Sequence, residues 1–386
     1  MKEMRPKERI MAALDRKPVD RIPYCEHLVD PGVAVKSFSA SEKAGFIESM
    51  CRRLGWNEKE FRENIPMGKK AIQNDGDDTP FFTAEQSMTS MRVQGAMEPT
   101  LSKILNRDNI TCWAAAGCFD NFQFYLLNPE EKDKGWSADG IIKTRDDLDK
   151  MKFANIDEVI TMCEEFLKYK GDFAACAMIF LGIDPTWHTM GFETFSMALV
   201  TDPDFVEEVL GRITDWYAKV AVELCKLDFD FIWAADDIAF HTSTFFSPKT
   251  YRDVLLPHTR KVAEKITKPW IYHSDGNLMP IMDDLLSQGM NALHPLEHGS
   301  IDLEKLKSEY GKKVTLVGNI DLGVLEAGTA QQVEDNVKEK IRILGPDYGY
   351  MLCSSNSITP NVDPKNLRVM LDTLAKHGKY PLLCGK

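Results

Sequence analysis

The sequence predicts an α/β fold, a (β/α)8 barrel with an elaborated N-terminal segment. Three observations lead there. Through the second half, short apolar runs bounded by turn residues alternate with longer amphipathic stretches, the pattern of parallel strands joined by helical crossovers. That alternation, from about residue 170 onward and together with a first extended stretch at 21–25, has the length of about 250 residues usual for the barrel, which favours it over an open doubly wound sheet. Polar residues also gather just after run after run, as they do where a parallel barrel places its chemistry.

The elements follow in order. A charged start at 1–9 leads through an amphipathic helix pattern into the first strand at 21–25. Residues 60–150, rich in Gly, Asp, Met and Thr, are expected as irregular excursions from the early barrel. Strands are expected at 174–181, 229–235, 270–273, 292–296, 314–318 and 348–353, each short and apolar. Asp202-Pro203 opens a long helix with a capping side chain and a first-turn proline, and Ser247-Pro248 opens another running to 266. Shorter helical periods cover 279–287, 303–310, 330–344 and 364–376. No linker, repeat or low-complexity tract interrupts residues 1–386, which read as one domain.

Composition narrows the function. With 44% apolar residues the chain can bury a large core, and a net charge of -12 disfavours a nucleic-acid surface. The longest near-continuous apolar run, 173–183, is too short for a membrane span. Nine scattered cysteines look unlike a secreted disulfide framework and fit a reducing cytoplasm. No CxxC, HExxH, GxGxxG, P-loop or GxSxG motif occurs, so the chemistry must come from dispersed residues.

Those residues stand at the expected strand ends. Glu26 and His27 follow the first strand, Asp236 and Asp237 follow FIWAA, and His273, Asp275 and Asn277 follow WIY. Glu297 and His298 follow ALHPL, Asn319 and Asp321 follow TLVG, and Cys353, Ser354 and Asn356 follow YGYML. Taken singly, each has a plain reading: His273 as a hydrogen-bonded structural residue, Cys353 as a buried small hydrophobe, Asp236 and Asp237 as caps for the next turn. Convergence on one barrel face gives them more weight together. In the DPTWHTMGF loop at 184–192, Trp187, Met190 and Phe192 read as core or as walls for an aromatic ligand.

The opening ERIMAALDRKPVDRIP, MGFETF at 190–195, DD at 236–237, SPKTYRDVLLPHTRKV at 247–262, HSDGN at 273–277, GNID at 318–321 with the following LEAGT, and GKYP at 378–381 resemble, in their order, the uroporphyrinogen decarboxylase-like superfamily and its methyltransferase branch. The resemblance implies a distorted (β/α)8 barrel. Decarboxylases of that superfamily carry an arginine-rich segment after the first strand, where this chain has CEHLVDPG at 25–32. The thiol methyltransferases of the branch bind zinc through a His-x-Cys pair and a distant Cys. Here the pair reads His273-Ser274-Asp275, while Cys353 stands near the place of the distant ligand.

The resemblance therefore implies a zinc site of His273, Glu297 and Cys353, with Asp275 as the alternative carboxylate. A His, Cys and carboxylate set makes a harder Lewis acid that prefers oxygen. This is similar to the methyltransferase components of corrinoid-dependent O-demethylases, with zinc on the chain and cobalamin carried by a partner corrinoid protein. The implied substrate is a small methoxylated aromatic. Asp237 and Glu26 would manage the proton, Asp237 facing the mouth rather than Asp236, and His27, Trp187, Met190, Phe192, His241 and Asn319 would bind the substrate. A methylcorrinoid-to-thiol transferase and a non-catalytic small-ligand barrel are the alternatives, and a homodimer is left open.

Overall fold

The computed structural model describes residues 2–64, 88–127 and 139–382. Seven strands form one sheet in sequence order: β1 Asn109–Cys112, β2 Ala174–Phe180, β3 Phe231–Ala235, β4 Trp270–His273, β5 Ala292–His294, β6 Thr315–Ile320 and β7 Tyr350–Ser354. The registered pairs β3 with β4, β5 with β6 and β6 with β7 are parallel. Every strand residue is buried, which explains the continuous apolar runs: strands covered on both faces have no polar side. The fold is the expected α/β organisation of helices alternating with parallel strands.

The chain forms two compact units, each assembled from separate stretches. One comprises Met1–Thr111, Glu165–Cys176 and Ala292–Lys386; the other comprises Cys112–Glu164 and Ala177–Asn291.

In the first unit, the stretch expected as the first strand makes only ladder fragments. Cys25 donates to Leu352 O (3.0 Å), Leu352 donates to Pro23 O (2.9 Å), and Asp108 donates to Tyr24 O (2.8 Å), so residues 23–25 lie between β7 and the segment entering β1. Pro23 has no N–H to extend the ladder. The buried Asp108 carboxylate fixes this corner, accepting from Tyr24 N (3.0 Å) and Arg21 Nη1 (2.9 Å) and pairing with Arg9. Arg9 in turn binds Asp20. The opening motif thus ties the helix Pro6–Leu14 to the sheet through two arginines and two aspartates.

In the second unit, Asp202 caps the helix Pro203–Lys226 by accepting from Phe205 N, as its Asp-Pro start foretold. Ser247 caps the next segment, but the helix expected to run to 266 is Pro248–Thr250, a π-helical turn Tyr251–Leu255, and then Leu256–Ala263. Pro257 supplies the reason: it has no N–H for an i−4 bond, and its ring displaces the carbonyl it would otherwise meet, so the chain widens by a residue.

Other expectations need correction. The stretch 60–150 is not uniformly irregular: it holds the helix Met88–Leu105 and β1, while its parts at 65–87 and 128–138 lie outside the described residues. Apolar residues such as Met91, Ala96, Met97, Leu101 and Leu105 are buried along that helix despite Gly95 and Pro99. The supposed loop at 184–192 is largely the helix Ile183–Met190. Strand β7 begins at Tyr350 rather than 348, because Asp347 and Tyr348 take left-handed turn conformations with φ of 67° and 70°. No described helix is long and apolar enough to cross a membrane.

Candidate functional site

In the second unit β3 and β4 run in register, Ala235 beside His273, so the residues that follow them emerge together. His273 is buried, and its Nε2 lies 3.6 Å from Asp237 Oδ1. That same oxygen accepts from Asp275 N at 2.9 Å. Ligand atoms of Asp237, His273 and Asp275 all fall within 4.8 Å of one another, the one such group of three among the described residues. Burial holds the His273 imidazole below its ordinary titration range, against the raising effect of Asp237, so near neutral pH it keeps a lone pair for a metal.

Asp236 does something different. Its Oδ1 accepts from the backbone N–H groups of Gly182 (3.0 Å) and Asp184 (2.9 Å), which caps the N-terminus of the helix Ile183–Met190. Burial and the neighbouring Asp184 push its carboxyl well up. On that helix Asp184 Oδ1 lies 2.6 Å from His188 Nδ1 one turn on, and Tyr125 OH donates to Asp184 Oδ2 at 3.3 Å. The Tyr125 and His188 rings stack at 3.8 Å. Trp187 anchors its Nε1 on Asp237 O at 2.9 Å and meets Phe192 (5.7 Å) and Phe245 (5.9 Å) edge-on.

The first unit carries its own polar cluster. Glu26 is fully buried. It accepts from Cys353 Sγ (3.1 Å), Ser354 N (2.6 Å) and Ser354 Oγ (3.0 Å). Burial lifts its carboxyl to about 7, restrained by those bonds and by Arg107. His294 Nε2 lies 3.1 Å from Cys353 Sγ, and burial beside Glu26 pushes the Cys353 thiol well up. The His27 ring meets His294 edge-on at 5.0 Å, and its Nε2 lies 3.1 Å from Ser357 Oγ. Asn319, paired in register with Cys353, shares its face and donates from Nδ2 to Leu296 O at 2.6 Å. The end of β6 presses so close to the loop after β5 that a Cβ on Gly318 would lie 2.0 Å from Pro295 O, and φ there is +149°. Only glycine fits.

The expected residues therefore divide. His273, Asp237, Trp187, Met190, Phe192 and His241 belong to the second unit; Glu26, His27, Glu297, Asn319 and Cys353 belong to the first. Of the expected metal set, His273 stands with Asp237 and Asp275, whereas Cys353 bonds Glu26. Glu297 is half-buried, and its carbonyl accepts from Ser300 Oγ. Met190 is fully buried and His241 exposed. Sequence reasoning missed His294, hidden inside an apolar strand run, and the pair Asp184 and His188. The latter carried a signal, an acid and a histidine four apart after a glycine and beside a helix-opening proline.

The family model for uroporphyrinogen decarboxylase (URO-D) matches residues 143–377, more than half of the chain. This chain belongs to that family. A uroporphyrinogen decarboxylase of Chlorobium limicola is 24% identical over 259 residues, covering 62% of this chain and 71% of that protein. A methylated-thiol–coenzyme M methyltransferase of Methanosarcina mazei is 23% identical over 174 residues, 45% of this chain and 46% of that protein. A solved structure of a methyltransferase from Methanosarcina mazei shares the fold, with a TM-score of 0.64 and 18% identity over 97% of this chain and 99% of the other. Family membership thus bears out the motif resemblance, and within the family the chain has both decarboxylase and methyltransferase relatives.

Proposed function

We propose that this chain is a methyltransferase that takes a methyl group from a methoxylated aromatic and delivers it to the cobalt of a corrinoid carried by a separate protein. The observation that carries this reading is the second unit's donor group, Asp237, His273 and Asp275, beside a cluster of aromatic rings anchored to it through Trp187. Support also comes from the ordered motifs, from the replacement of an arginine-rich segment by CEHLVDPG, and from the methyltransferase among the relatives.

The donor group fits zinc: one neutral imidazole and two carboxylates, close enough to converge on one ion, with oxygen predominating. When bound, zinc would supply a Lewis acid that draws charge from an ether oxygen. The chain's own residues do the rest. Asp237 is held in place by the Asp275 N–H, so its carboxylate is oriented before any ligand arrives. The Trp187 ring is fixed by the bond to Asp237 O and by stacking on His188 at 3.4 Å. Asp236 and the Asp184–His188 pair hold the helix that carries Trp187, which keeps ring and carboxylate in step.

The test is a panel of guaiacol, veratrol, anisole, methanol and a methyl thioether with free reduced cobalamin, followed spectrally for methylcobalamin. Guaiacol and veratrol should lead. If a methyl thioether or methanol were the best donor and the methoxyarenes inert, the aryl-ether reading would fall, and a best methyl thioether would put thiol chemistry in its place. Carbon dioxide release from uroporphyrinogen would overturn methyl transfer altogether.

A further inference from the structure

The HSDGN segment at 273–277 does more than offer His273 and Asp275. Each of its remaining residues is bonded or pressed against a hairpin that leaves β3. Ser274 Oγ accepts from Ile238 N (3.2 Å). Asn277 N donates to Phe240 O (2.9 Å), and Asn277 Nδ2 donates to Thr242 O (3.4 Å). Gly276 sits at φ +86°, where a Cβ would lie 2.5 Å from Ala239 O, so only glycine lets the two loops meet this closely. The hairpin itself is short and closed: Ala239 bridges Thr244 antiparallel, Phe240 N donates to Ser243 O (2.7 Å), and Phe245 N donates to Ile238 O (2.9 Å).

The tip of this hairpin exposes an aromatic ring. Phe240 is 52% exposed and Phe192 38% exposed, with centroids 5.9 Å apart. Phe245 lies behind both, 4.5 Å from Phe240 and 5.2 Å from Phe192, and Trp187 closes the inner side. Exposed rings clustered beside convergent polar groups mark a ligand-binding surface more often than a folding accident. Here the cluster is tied to the donor group at two points, through Trp187 Nε1 to Asp237 O and through Asn277 to Phe240 O.

We propose that the hairpin 238–245 is a specificity flap latched to the 273–277 loop, and that Phe240 with Phe192 forms the outer wall of a site for one flat aromatic ring. This deepens the methoxyarene reading and rests on it for the identity of the ring. Flat rings are favoured because the four side chains meet one another edge-on or tilted, an arrangement that offers a further ring both faces and edges to pack on. The latch makes Gly276 and Asn277 positioning residues: they hold the wall without touching the ligand.

The proposal is tested by calorimetric titration of the zinc-loaded full chain, without corrinoid, using guaiacol and the non-aromatic cyclohexanol as probes. The wild type should bind guaiacol and prefer it over cyclohexanol. Phe240→Ala, an exposed truncation, should weaken guaiacol roughly fivefold and leave cyclohexanol unchanged. Asn277→Ala, which loosens the latch and leaves all four rings present, should weaken guaiacol in the same direction, while Phe240→Tyr should restore binding. Equal affinity for both probes, or guaiacol binding unchanged in Phe240→Ala and Asn277→Ala, would overturn the flap. Aromatic binding that depends on Phe240 but yields no methylcobalamin would keep the flap and sink the methyl-transfer reading. Turnover of guaiacol with KM unchanged in Phe240→Ala would do the reverse.

Discussion

Two polar clusters grow from strand ends in this chain, and they obey different physics. Around Glu26 everything is buried, and the carboxyl is matched to its neighbours: the thiol of Cys353 and both donors of Ser354 meet one carboxyl that burial has raised to about 7. Around His273 the carboxylates of Asp237 and Asp275 are only half-buried, and their oxygens converge with an imidazole at metal-ligand separations. The first cluster stores its charge cost internally; the second leaves its donors turned toward a common point. Polar residues after a strand are thus one sequence signal with two outcomes, decided by whether partners come from within the fold.

That contrast can be broken most strongly at Glu26. Its carboxyl titrates near 7 when folded against an ordinary 4.5, so between those values the folded chain holds more protons than the unfolded one. Stability should therefore fall as pH rises from about 5 to about 7, by on the order of 3 kcal/mol, and then level off. Glu26→Gln should lack that slope. Denaturant melts across this range check it; a wild-type stability that is flat or rising through the window would mean that the cluster is not governed by burial.

A slightly smaller effect is expected at Asp237. Asp237→Asn should reduce methyl transfer about a hundredfold, as loss of an oriented carboxylate at a metal site does, with little change in melting temperature. Asp236→Asn should cost far less turnover, since the amide oxygen can still accept from Gly182 and Asp184. The opposite ranking would show that the helix cap, not the donor group, controls the chemistry. Smaller again is Asp236→Ala, which removes the cap from the helix Ile183–Met190 and should destabilise the fold by about 1–2 kcal/mol, read in urea at constant pH.

Much of this was legible in the chain itself. The order of parallel strands, the Asp-Pro and Ser-Pro helix starts and the placement of His273, Asp237 and Asp275 just after strands all follow from local pattern. The partition of strand-end residues between two clusters was not legible, because it depends on register. Asn319 faces with Cys353 only because β6 and β7 pair as they do, and His294 is invisible until that face is known. Local sequence places a loop where the helix Ile183–Met190 forms because the N-terminal cap comes from Asp236, about fifty residues later, a partner that no local window contains. Pro257 gave warning that the helix after Ser247 would not be regular, yet only the structure shows the π-helical turn it imposes.

The central claim is that the metal belongs to the His273 cluster, and zinc content measures it directly. Chains purified in zinc, then dialysed, should carry about one ion each as wild type, with most of it lost in His273→Ala and in Asp275→Ala and full content retained in Glu297→Gln. Zinc kept by both His273→Ala and Asp275→Ala would contradict the assignment and exclude His273 from any metal site, whereas zinc kept by Asp275→Ala and lost from Glu297→Gln would move the metal to the His273, Glu297 and Cys353 set that the family resemblance implies.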